Sequence, residues 1–347
     1  MSMDKLSPEK AKLIESHVKR WNKIYRTPVC LAQGKCDGVI GKSHTISEAT
    51  SLKYIAEDGH VLVRRVYLFG KSVQEVLGLK KLSVHEALTF SGFCNRHDTD
   101  LFKCLDQSPF MVAPEQLFMQ AYRCCCREYY FKICQVQVSL DAAQIAELQG
   151  LPSDQEYKLS PELEIIKQAI YRGLGDCIAS KEKFENHLAN KDYRRLQSYV
   201  IHARCSPVIA CAGAFFPDVL STGEYLQDFT NFDSNMQSIF LSSIPEQSGI
   251  FVVLSFFDDE AKAPTKFIED LIRTHNLPAR LIWMCMTRLE NTALKPSWWT
   301  QLPIETRHKI DEAVDYNADL FDSRLPTFDR MPDLRIGEWE ILHQFWI

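Results

Sequence analysis

Two pairs of metal-ligating side chains constrain this 347-residue chain more than any other feature. Cys30 and Cys36 form the first pair, and Cys94 and His97 form the second pair much further along the chain. Zinc binds four sulfur and nitrogen ligands in a tetrahedron, and the length of chain between ligand pairs is not restricted. We therefore predict a structural zinc ion that is bound by these four side chains and organises the N-terminal part of the chain.

Two further histidines near the predicted zinc site leave alternatives open. In one alternative, His44 or His60 replaces one of the thiols in the ligand set. In another, two of the four residues are buried thiols and His97 only caps the helix that follows it. If His44 is not a ligand, it is a histidine beside a metal-bound turn, where it can act as a general base. Asp98 is interpreted as a helix cap rather than as a ligand.

The composition is typical of a cytoplasmic globular protein, with 46% hydrophobic and 24% charged residues. The sequence lacks an apolar run of the roughly 18 to 20 residues that a bilayer requires, and its first residues lack the apolar segment of a secretion signal. We therefore expect no membrane association. In a reducing compartment the 12 cysteines are expected to be metal ligands or buried thiols rather than disulfides.

The charge distribution is uneven along the chain. Residues 1–81 contain 15 Lys and Arg against 8 Asp and Glu, whereas the whole chain has a net charge of −5. A basic segment around a metal site is compatible with a polyanionic partner such as nucleic acid. Lys42, Arg64 and Arg65 are the predicted phosphate contacts, with Arg64 and Arg65 exposed on a strand. A solvated helix surface without a ligand is the alternative.

The hydrophobic pattern predicts an α+β protein in three parts. Residues 1–110 are predicted to hold the zinc module, with a leading helix over residues 7–24, a helix that begins at Ser47 and a strand over residues 60–69. Residues 111–196 are predicted to form a helical hairpin that contains a break between Gly173 and Gly175. Residues 197–347 are predicted to form an α+β domain that is available to a protein partner. Its predicted strands lie at 199–203, 207–215, 237–241, 250–257 and 280–286, and its predicted helices lie at 262–275 and 303–318.

The motifs of residues 28–135 resemble those of a group of uncharacterised bacterial proteins. The resemblance rests on Lys42-Ser43-His44-Thr45-Ile46 after the first cysteine pair, on Gly59-His60-Val61, on Gly92-Phe93-Cys94 with His97-Asp98, and on Tyr122-Arg123. The N-terminal part of this pattern is similar to the HNH, or ββα-metal, endonuclease module. The resemblance implies metal-dependent cleavage of nucleic acid in a setting such as bacterial defence, with His44 as general base and Mg or Mn as catalytic ion.

Two departures from the HNH pattern favour a second hypothesis. Ser43 stands where HNH enzymes commonly have an acidic metal ligand, and the segment from Thr45 to Phe93 contains no asparagine to orient the loop. The alternative function is therefore a non-catalytic, zinc-organised binding protein.

Overall fold

The computed structural model describes residues 23–34, 36, 38–64, 79–138, 161–229, 235–318 and 331–347. Its main feature is an antiparallel sheet of eight described strands in the order β10-β5-β8-β7-β6-β9-β2-β3. The strands are β2 (His60–Arg64), β3 (Leu79–Ser83), β5 (Leu196–Arg204), β6 (Ile209–Phe215), β7 (Ile239–Glu246), β8 (Gly249–Phe257), β9 (Thr292–Leu294) and β10 (Glu340–Trp346). The predicted α+β class is therefore confirmed.

The central strands of this sheet are buried because helices cover both of its faces. All nine residues of β8 are buried, and its side chains alternate between two cores, with Val253 in one and Val252 and Leu254 in the other. The first core is completed by α2 (Pro114–Val138) and α3 (Pro161–Ala189). The second core is completed mainly by α4 (Lys262–Ile272), α5 (Leu277–Arg288) and α7 (Ile304–Ala318), with the short α6 (Pro296–Gln301).

The sheet contains strands from both the N-terminal and the C-terminal parts of the chain. Strand β2 pairs with β9, so that Leu62 lies opposite Leu294 and Val63 lies opposite Ala293. Strand β3 continues the sheet beyond β2. The predicted boundaries at residues 110 and 196 therefore do not separate the sheet, because strands from both sides of those boundaries are hydrogen-bonded to each other.

Helices α2 and α3 pack against each other in opposite directions. Phe118 contacts Phe184 near one end of the pair, and Lys181 lies over the ring of Tyr129 further along. The expected break in the second helix is wrong, because α3 is continuous through Gly173 and Gly175. The predicted continuation of the first helix beyond Val138 lies outside the described residues.

Two other local predictions are also wrong. The segment from Ser47 forms turns and a 3₁₀ helix at Leu52–Tyr54 instead of an α-helix. Ser47 accepts a hydrogen bond from the N–H of Thr50, as a helix cap does, but the bonds that follow, from Tyr54 to Ser51 and from Ile55 to Leu52, close the tighter 3₁₀ turn. Residues 280–286 are not a strand but part of α5. Consecutive residues of α5 are buried, which hides the helical period in the sequence.

Two short strands and a helix, called the ββα unit below, lie beside the large sheet and carry the second predicted ligand pair, while Cys30 and Cys36 precede them. Strands β1 (Ser43–His44) and β4 (Thr89–Phe90) form a two-stranded antiparallel pair, in which His44 lies opposite Thr89. Helix α1 (Asn95–Asp106) follows β4. The predicted helix over residues 7–24 lies outside the described residues except for its last two positions, and residues 65–69 of the predicted strand also lie outside them.

Candidate metal centre and histidine site

The structure brings the four predicted zinc ligands together. The ligand atoms of Cys30, Cys36, Cys94 and His97 all lie within 4.8 Å of one another. Nδ1 of His97 is 3.2 Å from Sγ of Cys30 and 3.4 Å from Sγ of Cys94. A tetrahedral zinc ion with bonds of about 2.3 Å to sulfur and 2.0 Å to nitrogen places such atoms about 3.5 Å apart. The cluster therefore has the spacing and the donor atoms of a structural zinc site.

The second ligand pair is placed by the start of α1. Cys94 is the N-cap residue, and its sulfur accepts a hydrogen bond of 3.4 Å from the backbone N–H of His97. A cap with this geometry turns the side chains of positions 94 and 97 toward the same side of the first helical turn. The local sequence thus fixes two ligands through one helix start.

The first ligand pair is held by backbone pairing with the segment before α1. The N–H of Leu31 donates to the carbonyl of Gly92, and Ile40 forms an isolated β-bridge with Cys94. Gly38 passes so close to Cys94 that a Cβ atom at position 38 would lie 3.0 Å from the sulfur. A side chain at position 38 would therefore crowd the cluster.

The pKa shifts of two thiols in the cluster are consistent with a site that binds a cation. The hydrogen bond from the His97 backbone lowers the pKa of the Cys94 thiol. A hydrogen bond from the Gly38 backbone lowers the pKa of Cys36, but the neighbouring Cys94 and Cys30 thiols and burial outweigh it, so the net shift is upward. Three sulfur atoms at this distance repel one another as thiolates, and a zinc ion removes that repulsion.

Neither alternative histidine belongs to the ligand cluster. Among the described residues, the one group of Cys, His and acidic side chains with metal-binding spacing contains neither His44 nor His60. His60 instead contacts the carbonyl of Asp58 through Nδ1 at 2.6 Å. The four-ligand hypothesis therefore describes the geometry better than the alternatives in which a histidine replaces a thiol.

His44 is held in one orientation by a backbone carbonyl. Its Nε2 lies 2.9 Å from the carbonyl oxygen of Val84. Because a carbonyl can only accept a hydrogen bond, Nε2 must carry the hydrogen, and Nδ1 is then the nitrogen that can accept a proton. The carboxylate of Glu48 lies 3.6 Å from the same Nε2, and the His44 side chain is 18% exposed. This arrangement is suited to a general base.

A carboxylate that the sequence pattern did not place lies beside β1. The hydroxyl of Ser43 donates to Oδ1 of Asp98, and the guanidinium of the buried Arg123 is 3.7 Å from the same oxygen. The prediction that Asp98 caps a helix is wrong, because the N-cap of α1 is Cys94. Burial raises the pKa of Asp98, although Arg123 and Ser43 act in the opposite direction.

The predicted phosphate contacts differ in their exposure. The side chain of Lys42 is 58% exposed and lies 3.3 Å from Glu86. Arg64 is only 8% exposed, and its guanidinium forms an ion pair of 2.7 Å with Asp311 of α7. The expectation of an exposed Arg64 is therefore wrong, because this side chain connects β2 to α7. Arg65 lies outside the described residues.

Two buried amides that sequence analysis missed contact the residue after His44. Asn291 and Gln120 both donate hydrogen bonds to Thr45. They are separated from Thr45 by 246 and 75 positions, so no local motif could have identified them.

None of the described helices combines the length and the apolar character needed to cross a membrane. Comparison with protein-family models, with curated proteins and with solved structures finds no significant match to this chain.

Proposed function

We propose that the ββα unit is a zinc-organised nuclease site in which His44 is the general base. The observation that carries this proposal is the contact between Nε2 of His44 and the carbonyl of Val84, which leaves Nδ1 as the basic nitrogen. In the proposed reaction His44 removes a proton from the water molecule that attacks a phosphodiester. A histidine suits this step because its ordinary pKa lies close to physiological pH.

The surroundings of His44 support the same role. The HNH resemblance implies two strands followed by a helix, and β1, β4 and α1 occur in that order, although β2 and β3 of the large sheet lie between β1 and β4. The cluster of Cys30, Cys36, Cys94 and His97 lies at the start of α1. A structural zinc ion in this position would hold the base in place without taking part in the chemistry.

Asp98 is the residue best suited to hold a divalent ion such as Mg or Mn. Its carboxylate is beside Ser43, at the position where the HNH pattern commonly has an acidic ligand. Oxygen ligands are preferred by these ions, which stabilise the negative charge of a phosphate in the transition state. Both Ser43 and Arg123 contact Oδ1, so Oδ2 is the oxygen that we assign to the ion.

A non-catalytic, zinc-organised binding protein is the second candidate. Arg123 favours it: this guanidinium pairs closely with Asp106, at 2.6 and 3.1 Å, and also lies 3.7 Å from Asp98, where its positive charge opposes the binding of a cation. In either case Lys42 is the proposed phosphate contact, and Arg64 would have to leave Asp311 to take part. A role in bacterial defence and a protein partner for the C-terminal part of the chain remain proposals from the sequence.

The decisive experiment compares His44→Ala with the wild type on plasmid DNA, single-stranded DNA and RNA in the presence of Mg or Mn. Loss of a general base is expected to reduce the cleavage rate by about 10² to 10⁴, while the zinc content stays the same. His308→Ala, which changes an exposed histidine of α7, is the matched control and should cleave like the wild type.

Two results would contradict this function. If His44→Ala releases zinc, His44 is a ligand and not a base. If the wild type cleaves none of these substrates with either ion but binds them in a salt-dependent manner, the binding protein is the better hypothesis.

A further inference from the structure

A buried cluster of polar side chains lies directly behind the strand that carries His44. Thr45, the next residue, is 0% exposed, and its hydroxyl donates to the carbonyl of Leu88 at 3.0 Å. The amide nitrogen of Asn291 donates to the same hydroxyl oxygen at 2.6 Å and to the carbonyl of Ala212 at 2.8 Å. The side chain of Thr45 is thereby connected to strand β6 of the large sheet.

A second amide holds the backbone of the same residue. Nε2 of Gln120, on α2, donates to the carbonyl oxygen of Thr45 at 3.0 Å and to the hydroxyl of Ser242, on β7, at 3.1 Å. Gln120 is 4% exposed and Asn291 is 7% exposed. Hydrogen bonds are stronger in such buried surroundings than in water, and a polar group that loses its partner there is costly.

We propose that Gln120 and Asn291 are positioning residues for His44. By fixing both the carbonyl and the hydroxyl of Thr45, they set the position of β1 so that Nε2 of His44 faces the carbonyl of Val84. The large sheet and α2 thereby complete the geometry of the histidine site, although they contribute no side chain to its chemistry. This inference rests on the proposed role of His44 as general base.

The test uses the full chain with ¹⁵N-labelled histidine and two variants, Asn291→Ala and Thr45→Val. Valine has the shape of threonine but lacks its hydroxyl, so Thr45→Val disturbs the packing least. In both variants we expect the His44 ring nitrogen signals to change from those of the Nε2–H tautomer to those of a mixture. We also expect kcat to fall by about 10²-fold with KM nearly unchanged, because small displacements of a catalytic group have effects of this size.

Two controls separate positioning from general stability. Thr45→Ser keeps the hydroxyl and should keep the wild-type ring signals of His44. Asn190→Ala removes an amide that donates to the carbonyl of Asn186 on the exposed surface, and should change neither the signals nor the rate. Zinc content should be the same in all four variants.

The outcome for positioning can be separated from the outcome for the nuclease. If the His44 signals of Asn291→Ala and Thr45→Val match those of the wild type, the amides only stabilise the fold and the inference is wrong. A wild type without cleavage activity would refute the nuclease, yet altered ring signals in the variants would still support positioning. If Asn291→Ala does not fold, Thr45→Val against Thr45→Ser decides the question.

Discussion

Cys94 of the zinc cluster and two cysteines of α2 are equally buried, but the pKa values of their thiols shift in opposite directions. Cys94 is 0% exposed, and the backbone N–H of His97 lowers its pKa. Cys124 and Cys126 are also 0% exposed, but burial raises the pKa of Cys124 to about 11 and that of Cys126 to about 12. Burial alone therefore does not set the direction of the shift, because the backbone hydrogen bond at the start of α1 favours the thiolate of Cys94, and α2 offers its cysteines no such helix start.

The two regions also differ in what holds their backbone. Strands β1 and β4 of the zinc region contain two residues each, which is too short for a stable sheet without other support. Strand β8 contains nine residues, all of them buried. We infer that metal binding supplies much of the stability of the first region, whereas burial of apolar surface supplies that of the second.

The largest effect is expected from Cys94→Ser. This change removes the thiolate ligand while serine can still serve as the N-cap of α1, so bound zinc should fall from one ion per chain to none. Because structural zinc contributes directly to folding, the ββα unit should unfold. Elemental analysis and amide hydrogen exchange across residues 28–106 measure both results.

Cys205→Ser is the control for Cys94→Ser, since it changes a partly buried thiol beside the large sheet. It should leave zinc content and hydrogen exchange in the ββα unit unchanged. A wild-type protein that contains no zinc after purification, or a Cys94→Ser variant that retains it, would remove the basis of the comparison.

Leu254→Ala is expected to have the next largest effect, and on the other region. Leu254 is 0% exposed in the middle of β8, and replacement of such a side chain by alanine lowers the free energy of unfolding by about 2 to 5 kcal/mol. The folded variant should still bind one zinc ion per chain. Chemical denaturation, followed together with zinc content, measures this difference.

Leu254→Met, which preserves most of the side-chain volume, is the control and should cost less than about 1.5 kcal/mol. Loss of zinc from folded Leu254→Ala would show that the two regions are not stabilised separately.

The contrast also explains which features the sequence could predict. The ligands of the zinc cluster were predictable because their residue types are rare and their spacing within each pair is short. Helices α2 and α7 were predictable because prolines mark their starts. Helix α5 was mistaken for a strand because it is buried on all sides, and a segment of that kind shows neither period clearly.

Contacts between distant segments were not predictable. The orientation of Arg64 depends on Asp311, 247 positions away, and the pairing of β2 with β9 joins segments that share no local motif. The proposed site has the same limit. His44 was predictable from its position after the first ligand pair. Asp98 was interpreted as a helix cap, and its contacts with Ser43 and Arg123 were not predictable because these residues come from other elements.

The smallest effect tests whether burial penalises charge in the helices that cover the sheet. Burial raises the pKa of Asp176 on α3, and the nearby Arg172 and Lys132 do not fully oppose this shift. A carboxyl group with a raised pKa binds its proton more tightly in the folded state than in the unfolded state. Its contribution to stability therefore decreases as the pH rises above its ordinary value of about 3.9, and the cost is fully present at neutral pH.

Asp176→Asn should consequently raise the free energy of unfolding at pH 7 by about 0.5 kcal/mol, the scale of substitutions at partly exposed sites, and the gain should disappear near pH 3.

Asp259 is the control with the opposite sign. Burial acts to raise its pKa as well, but its hydrogen bond with Lys183 outweighs burial and lowers it. Asp259→Asn should therefore reduce stability at neutral pH and lose that effect in acid. Denaturation of each variant beside the wild type at both pH values cancels the common effect of acid on the zinc ligands. Shifts of the same sign in the two variants would show that burial does not control the cost of charge in this region.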